Sequence, residues 1–120
     1  MRYMCIYRPG KESTTPPSQR EMEEMGKLIE EMARAGTLIA TGGLEHSSTG
    51  FRVRRTGSQF TVTDGPFADA KEVIGGYAII EAKSRAEAIA LTKRFLGVAG
   101  EGESEIRALH EAQLPAPAAV

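Results

Sequence analysis

The carboxylate best placed to move a proton in this sequence belongs to Asp64, in the run Asp64-Gly65-Pro66-Phe67. Asp can accept a downstream N–H in an Asx turn, Gly permits a positive φ, and Pro fixes the φ that follows. The run therefore predicts a rigid corner at the end of a strand, pinned to the core by Phe67. A carboxylate at the mouth of a pocket is also a usable base, so we expect Asp64, Pro66 and Phe67 to combine a structural role with the lining of a ligand site.

Five further polar residues could bind or transform a ligand. His46 lies in a glycine-rich loop and is either a solvated side chain or the catalytic acid. Arg52 and Arg54 share a strand face, where they either clamp a carboxylate or phosphate or are simply solvated. Lys71 and Glu72 form either a solvated pair or part of the wall of a cavity for a small anionic ligand.

Charge and composition exclude several classes of partner. Fifteen Lys and Arg against sixteen Asp and Glu give a formal net charge of -1, so no basic field recruits nucleic acid or anionic lipid. One cysteine, Cys5, and two histidines, His46 and His110, provide neither a disulfide nor a Cys-rich or His-rich metal site, so we expect no metal and no cofactor. The chain has no long apolar run, and we expect a cytoplasmic protein without membrane contact.

The length of 120 residues and the 41% of apolar residues fit a single globular domain. We place this domain at residues 1–111. The remaining residues, 112–120, are rich in Pro and Ala and predict a flexible C-terminal tail.

The first half of the chain predicts a strand, a helix and a second strand. Residues 2–7 form an aromatic and apolar run that stops at a Pro-Gly pair. Ser18 and Glu21 form a capping box, and Gly36 suits the residue after a helix end, so we expect a helix over residues 19–35. Its core face carries apolar residues at spacings of three and four, including Met22, Met25 and Met32. A short strand at 37–41 and a loop at 42–50 follow.

A β-hairpin is predicted over residues 51–63. A two-residue turn at Gly57-Ser58 pairs Val53 with Val62 and Arg54 with Thr61. This register gives the hairpin an apolar side and a polar side. The apolar side consists of Phe51, Val53, Phe60 and Val62, joined by Arg55 near the turn.

The second half repeats the strand-helix-strand order. Residues 77–80 would place apolar side chains on both faces of a strand, which predicts a central strand of a sheet. Ser84 and Glu87 form a second capping box, with a helix to about Leu96 that Gly97 ends. A last strand over residues 105–110 places Ile106, Ala108 and His110 on one side.

This order of elements predicts an α+β fold, the ferredoxin-like split β-α-β plait, with an inserted β-hairpin. Both helices then cover one face of an antiparallel sheet. Because the strands at 3–7 and 77–80 are apolar on both faces, the helix-free face needs a cover. We expect a homodimer through the helix-free sheet face.

The run Thr63-Asp64-Gly65-Pro66-Phe67-Ala68-Asp69-Ala70-Lys71-Glu72 resembles the signature D-G-P-F-A-E-T-K-E of the DGPF group in the YCII-related family. Asp69 and Ala70 depart from its Glu and Thr. The resemblance extends from Arg2 to about Glu111. It implies a ferredoxin-like fold, dimerisation into a dimeric α/β barrel, and a pocket between sheet and helices near the corner.

The resemblance does not imply one reaction. Related YCII proteins are thought to pair a His of the first helix with an Asp of the corner; Asp64 matches that Asp, whereas Met25 stands where the His would be. Two hypotheses follow. One is a small-ligand-binding or regulatory dimeric module, associated with extracytoplasmic-function sigma factors as family members often are. The other is a small-molecule enzyme that uses Asp64 as acid or base, with His46 as its partner.

Overall fold

The structure of the chain, a computed structural model, describes residues 1–67, 69 and 73–110. Within these residues, six strands and two α-helices follow the order β1, α1, β2, β3, β4, β5, α2, β6. Their bounds are Arg2–Arg8 for β1, Gln19–Arg34 for α1, Leu38–Gly43 for β2, Phe51–Thr56 for β3, Gln59–Asp64 for β4, Gly76–Glu81 for β5, Arg85–Ala99 for α2 and Glu103–Ala108 for β6. A short 3-10 turn, Ser47–Thr49, precedes β3. The expected tail at 112–120 and the residues Lys71 and Glu72 lie outside the described residues.

Four strands form one antiparallel sheet in the order β2-β5-β1-β6. The two central strands, β1 and β5, carry apolar residues on both faces. Cys5 of β1 lies opposite Ala78 of β5. In this strand order, α1 connects β1 to β2 and α2 connects β5 to β6. This is the ferredoxin-like plait that the sequence predicts. The hairpin of β3 and β4 is a separate two-stranded sheet inserted between its halves.

Both helices begin at the predicted caps. The Ser18 hydroxyl accepts a hydrogen bond from the backbone N–H of Glu21 at 3.1 Å, and Ser84 accepts from Glu87 at 3.2 Å. These bonds satisfy N–H groups of the first turn that have no helical partner. After α1, Gly36 takes φ +76°, and the N–H of Thr37 bonds back to the Met32 carbonyl at 3.0 Å, which closes the helix end.

Several predicted bounds are wrong. Helix α2 continues through Gly97 to Ala99 and ends at Gly100, where φ is +101°. Strand β2 extends into Gly42-Gly43, because these residues pair with Tyr77 and Gly76 of β5. Strand β6 covers 103–108 instead of 105–110, since its ladder with β1 runs from Glu103 to Ala108.

The core between helices and sheet consists of small and medium side chains. Cys5, Ile80, Ala82 and Ala88 form one buried cluster, and α1 contributes Leu28 and Met32. Met22, expected in the core, is 56% exposed.

In the part of the chain that the structure describes, no helix covers the opposite face of the sheet. Strand alternation puts Met4 and Ile6 of β1 there, beside Tyr77 and Ile79 of β5. Ion pairs border this patch, with Arg2 at 3.3 Å from Glu81 and Arg8 at 3.6 Å from Glu105. An apolar centre with a charged rim is the usual make-up of a protein interface. Among the described residues, no helix is long and apolar enough to cross a membrane.

Candidate functional site

Described residues at the end of β2 and the start of β5 border two cavities. The larger, the helix cavity, holds about 460 Å³ between the sheet and both helices. The smaller, the corner cavity, holds about 360 Å³ beside the 3-10 turn and Phe67. Leu44 and Ile74 line the corner cavity, whereas their neighbours Gly43 and Gly75 line the helix cavity.

The helix cavity has an apolar wall. Its lining residues include Cys5, Met25, Leu28, Leu38, Leu91 and Phe95. Small residues also line this space, among them Gly43, Gly75, Ala78 and Ala99, so the side chains of the sheet and the helices do not fill it. Phe95 is held on one side by the ring of Tyr7, whose centroid lies 5.3 Å away in an edge-to-face contact.

Cys5 is the titratable group of this wall with a displaced pKa. Burial raises the pKa of its thiol, and a hydrogen bond with Thr92 opposes that shift in part. The thiol therefore stays protonated at neutral pH, and it contributes to the wall as a small apolar group.

The corner cavity has a mixed wall of polar and apolar residues, and Glu12 is one of the polar ones. One carboxylate oxygen of Glu12 accepts the backbone N–H of Ser47 at 2.6 Å, and the other accepts the Ser47 hydroxyl at 2.5 Å. The same hydroxyl accepts the backbone N–H of Phe67 at 3.1 Å. Glu12 thus ties the loop after β1 to the 3-10 turn, and Ser47 ties that turn to the corner.

His46 faces Glu12 across this cavity. Its Nδ1 accepts the backbone N–H of Ser48 at 3.1 Å, so the neutral ring carries its proton on Nε2. Nε2 lies 3.9 Å from the Glu12 carboxylate, and the two side chains are only 28% and 18% exposed. Hydrogen bonds from Ser47, together with the charge of His46 when protonated, lower the pKa of Glu12.

The hairpin adds Arg52 to the same cavity. Its guanidinium lies 3.7 Å from the centroid of the Phe67 ring, a cation–π contact that orients both groups. Phe67 is half-buried and lines the corner cavity, so the expectation that it enters the core is wrong.

The corner itself forms by other bonds than expected. Pro66 has no N–H. The backbone N–H of Gly65 donates to the Gly50 carbonyl at 2.9 Å, and the backbone N–H of Phe67 donates to the Ser47 hydroxyl. None of these three residues therefore donates the backbone hydrogen bond that an Asx turn on the Asp64 carboxylate needs. Gly65 does not take a positive φ. It is needed because a Cβ there would overlap the carbonyl oxygen of Ser47.

Three of the predicted site residues therefore meet in the corner cavity: His46, Arg52 and Phe67. Asp64, Arg54 and Pro66 are not among the described residues that line either cavity. Asp64 lies opposite Phe51 in the hairpin ladder and is exposed. Lys71 and Glu72 lie outside the described residues.

Sequence reasoning missed Glu12. It lies in a breaker-rich loop 35 residues before Ser47, and no local pattern links the two. Within the described part of the chain, no group of three or more His, Cys, Asp or Glu side chains could hold a metal ion.

The chain is similar in fold to a protein of known structure. A search of curated proteins finds no match. Among solved structures, the chain is similar to 5-chloro-2-hydroxyhydroquinone dehydrochlorinase from Burkholderia phenoliruptrix AC1100, solved in complex with 2,5-dihydroxybenzoquinone. The TM-score is 0.50 at 14% sequence identity, over 93% of this chain and 96% of that one; at this identity the likeness concerns the fold.

The sequence profile of the YCII-related domain matches residues 1–111. The match includes both helices, all six strands and both cavities, so the chain belongs to the YCII-related family.

Proposed function

We propose that this protein is a small-ligand-binding module whose site is the helix cavity and whose ligand is neutral and largely apolar. The observation that carries the proposal is the cavity of about 460 Å³ in the place of a filled core. Ligand sites of small molecules have volumes of roughly 300–1,000 Å³ and mostly apolar walls.

The chemistry of the wall selects the ligand. Its described lining holds no Asp, Glu, Lys, Arg or His side chain, so a charged molecule would lose its hydration without a compensating partner. Thr41, Thr92 and Ser104 also line the space. The Thr41 and Thr92 hydroxyls donate to the carbonyls of Tyr77 and Ala88, so they can accept but not donate a hydrogen bond to a ligand. A ring compound with one or two polar substituents suits this combination.

The test uses the neutral dye Nile red, whose emission rises in apolar surroundings. Met25 lines the cavity, whereas Met22 is an exposed residue of the same helix. We expect dye binding by the native protein, a loss of at least about tenfold in affinity for Met25→Trp because the indole fills the space, and unchanged affinity for Met22→Trp. Equal affinities for the two variants, or no emission rise, would contradict the proposal.

The enzyme hypothesis is a second candidate, supported by the facing of His46 and Glu12 in the corner cavity. This hypothesis uses Asp64 as acid or base together with His46, and Arg52 and Arg54 to bind an anionic group. Of these residues, His46 and Arg52 line the corner cavity and Asp64 and Arg54 do not. The Glu12 carboxylate in the same wall would repel an anion. Loss of turnover in His46→Gln and Asp64→Asn, by roughly two to four orders of magnitude with folding intact, is the expected sign of such a role. Equal rates for the Asp64→Asn and native proteins would remove the assignment of Asp64.

Three further expectations belong to the same proposal. We expect a homodimer through the helix-free sheet face, a cytoplasmic location, and regulation linked to a sigma factor. The last, like membership of the DGPF group, rests on the resemblance of the run from Thr63 to Glu72.

A further inference from the structure

One face of the hairpin is apolar and exposed. Its four large side chains, Phe51, Val53, Phe60 and Val62, are each at least 63% exposed. We call these four residues the hairpin face. A two-stranded hairpin is marginally stable alone in water, and a contiguous apolar patch of several hundred Å² marks an interaction site.

We propose that the hairpin face binds the same face of a second copy of this chain, with the two hairpins stacked in opposite directions about a two-fold axis. This contact does not depend on the helix cavity or its ligand.

The charges of the face are self-complementary. The ladder pairs Arg55 with Phe60 at the turn end and Asp64 with Phe51 at the other end, so both charges lie on the apolar side. Stacking in opposite directions brings the turn end of one hairpin over the far end of the other. Arg55 of each copy then meets Asp64 of its partner, and the contact gains two opposite-charge pairs.

Both charged groups are available for this role. The Asp64 carboxylate is exposed and lines neither cavity among the described residues. Arg55 uses its Nε–H on the carbonyl of Gly57 at 2.7 Å, which leaves the four N–H groups of its two terminal nitrogens for a carboxylate. The bond to the turn also limits the positions of the guanidinium.

The area is adequate for self-association. A buried aromatic side chain removes roughly 150–250 Å² from water, so two Phe and two Val per copy approach the smaller class of specific interfaces, in which each partner buries several hundred Å². The pair of Val53 and Val62 occupies the centre of the face, and each end combines one Phe with one charged residue, so the charges lie at the rim of the contact.

Charge reversal tests the contact. Arg55→Asp leaves two acidic groups on the face and Asp64→Arg leaves two basic groups, so each variant repels its own copies. We expect each to associate at least about tenfold more weakly than the native protein in sedimentation equilibrium, because like charges meet at both ends. An equimolar mixture of the two variants places opposite charges at both ends, and we expect it to recover near-native association.

The control is Arg54→Asp, which reverses a charge on the other side of the same strand and should leave association unchanged. Val53→Asp puts a charge in the centre of the face and should abolish the contact; circular dichroism verifies that each variant folds.

The proposal fails if the native protein is a monomer of 12.9 kDa at 100 micromolar concentration. It also fails if the single reversals associate as the native protein does, since the sheet face alone would then hold the copies together. No recovery in the mixture would show that Arg55 and Asp64 do not meet, and would overturn the two-fold arrangement.

Discussion

At the scale of single residues, Glu12 connects two separate segments of the chain at the corner cavity. Its carboxylate accepts two hydrogen bonds from Ser47 and faces His46. All three interactions favour the ionised form, which is why the pKa of Glu12 lies below its ordinary value of 4.5. The position of the 3-10 turn therefore depends on the charge of one carboxylate.

The lowered pKa of Glu12 predicts a pH dependence with a definite sign. A carboxyl group with a lower pKa in the folded state stabilises that state above its unfolded pKa, and this contribution is lost as the pH falls through the folded value. We expect the melting temperature of the native protein to fall more steeply than that of Glu12→Gln when the pH drops from 5.5 to below 4.5. Parallel curves for the two proteins would contradict this assignment.

At the scale of elements, the connections between elements are set by contact as much as by backbone preference. Gly65 and Gly97 illustrate the difference. Gly65 stands against the Ser47 carbonyl, with no room for a side chain, whereas Gly97 lies within α2 with no atom within 4 Å of an added Cβ.

These two glycines predict opposite effects of the same substitution. Gly65→Ala should destabilise the protein by roughly 1–3 kcal/mol, because the corner or the 3-10 turn must move to accommodate the methyl group. Gly97→Ala should stabilise α2 by about 0.5–1 kcal/mol, since Ala restricts the unfolded chain and favours helix. Urea denaturation measures both, and a neutral Gly65→Ala would show that the corner is not tightly packed.

At the scale of the whole molecule, the described residues of the single chain present two exposed apolar surfaces. One is the helix-free face around Ile6 and Ile79, and the other is the hairpin face. A chain of this size buries only about two-thirds of its unfolded surface, so association can supply the remaining burial.

The helix-free face predicts an oligomer. We expect light scattering to give at least twice the chain mass of 12.9 kDa at micromolar concentration. Ile6→Asp should lower this mass because it places an unpaired charge in the apolar centre. Lys83→Asp, at an exposed position after β5, serves as the charge control. A native particle of the chain mass would contradict the prediction.

Local spacing determined much of the fold. The two capping boxes and the hairpin register came from residues a few positions apart, and the structure confirms Ser18, Ser84 and the pairing of Val53 with Val62. Helix ends were harder to predict, because the cost of Gly97 within α2 is about 1 kcal/mol and tertiary packing of the helix outweighs it.

The sequence by itself determined the elements, their order and the ferredoxin-like plait, because periodicity, caps and turns act over short distances. Only the tertiary structure decided the site. The hydrogen bonds between Glu12 and Ser47 join residues 35 positions apart. The helix cavity is bounded by side chains from several strands and both helices, which leave the space between them unfilled. The position of Asp64 followed from the hairpin ladder, which puts its carboxylate on the apolar side opposite Phe51. Contacts of this range have no local signal, since they arise when distant segments fold together.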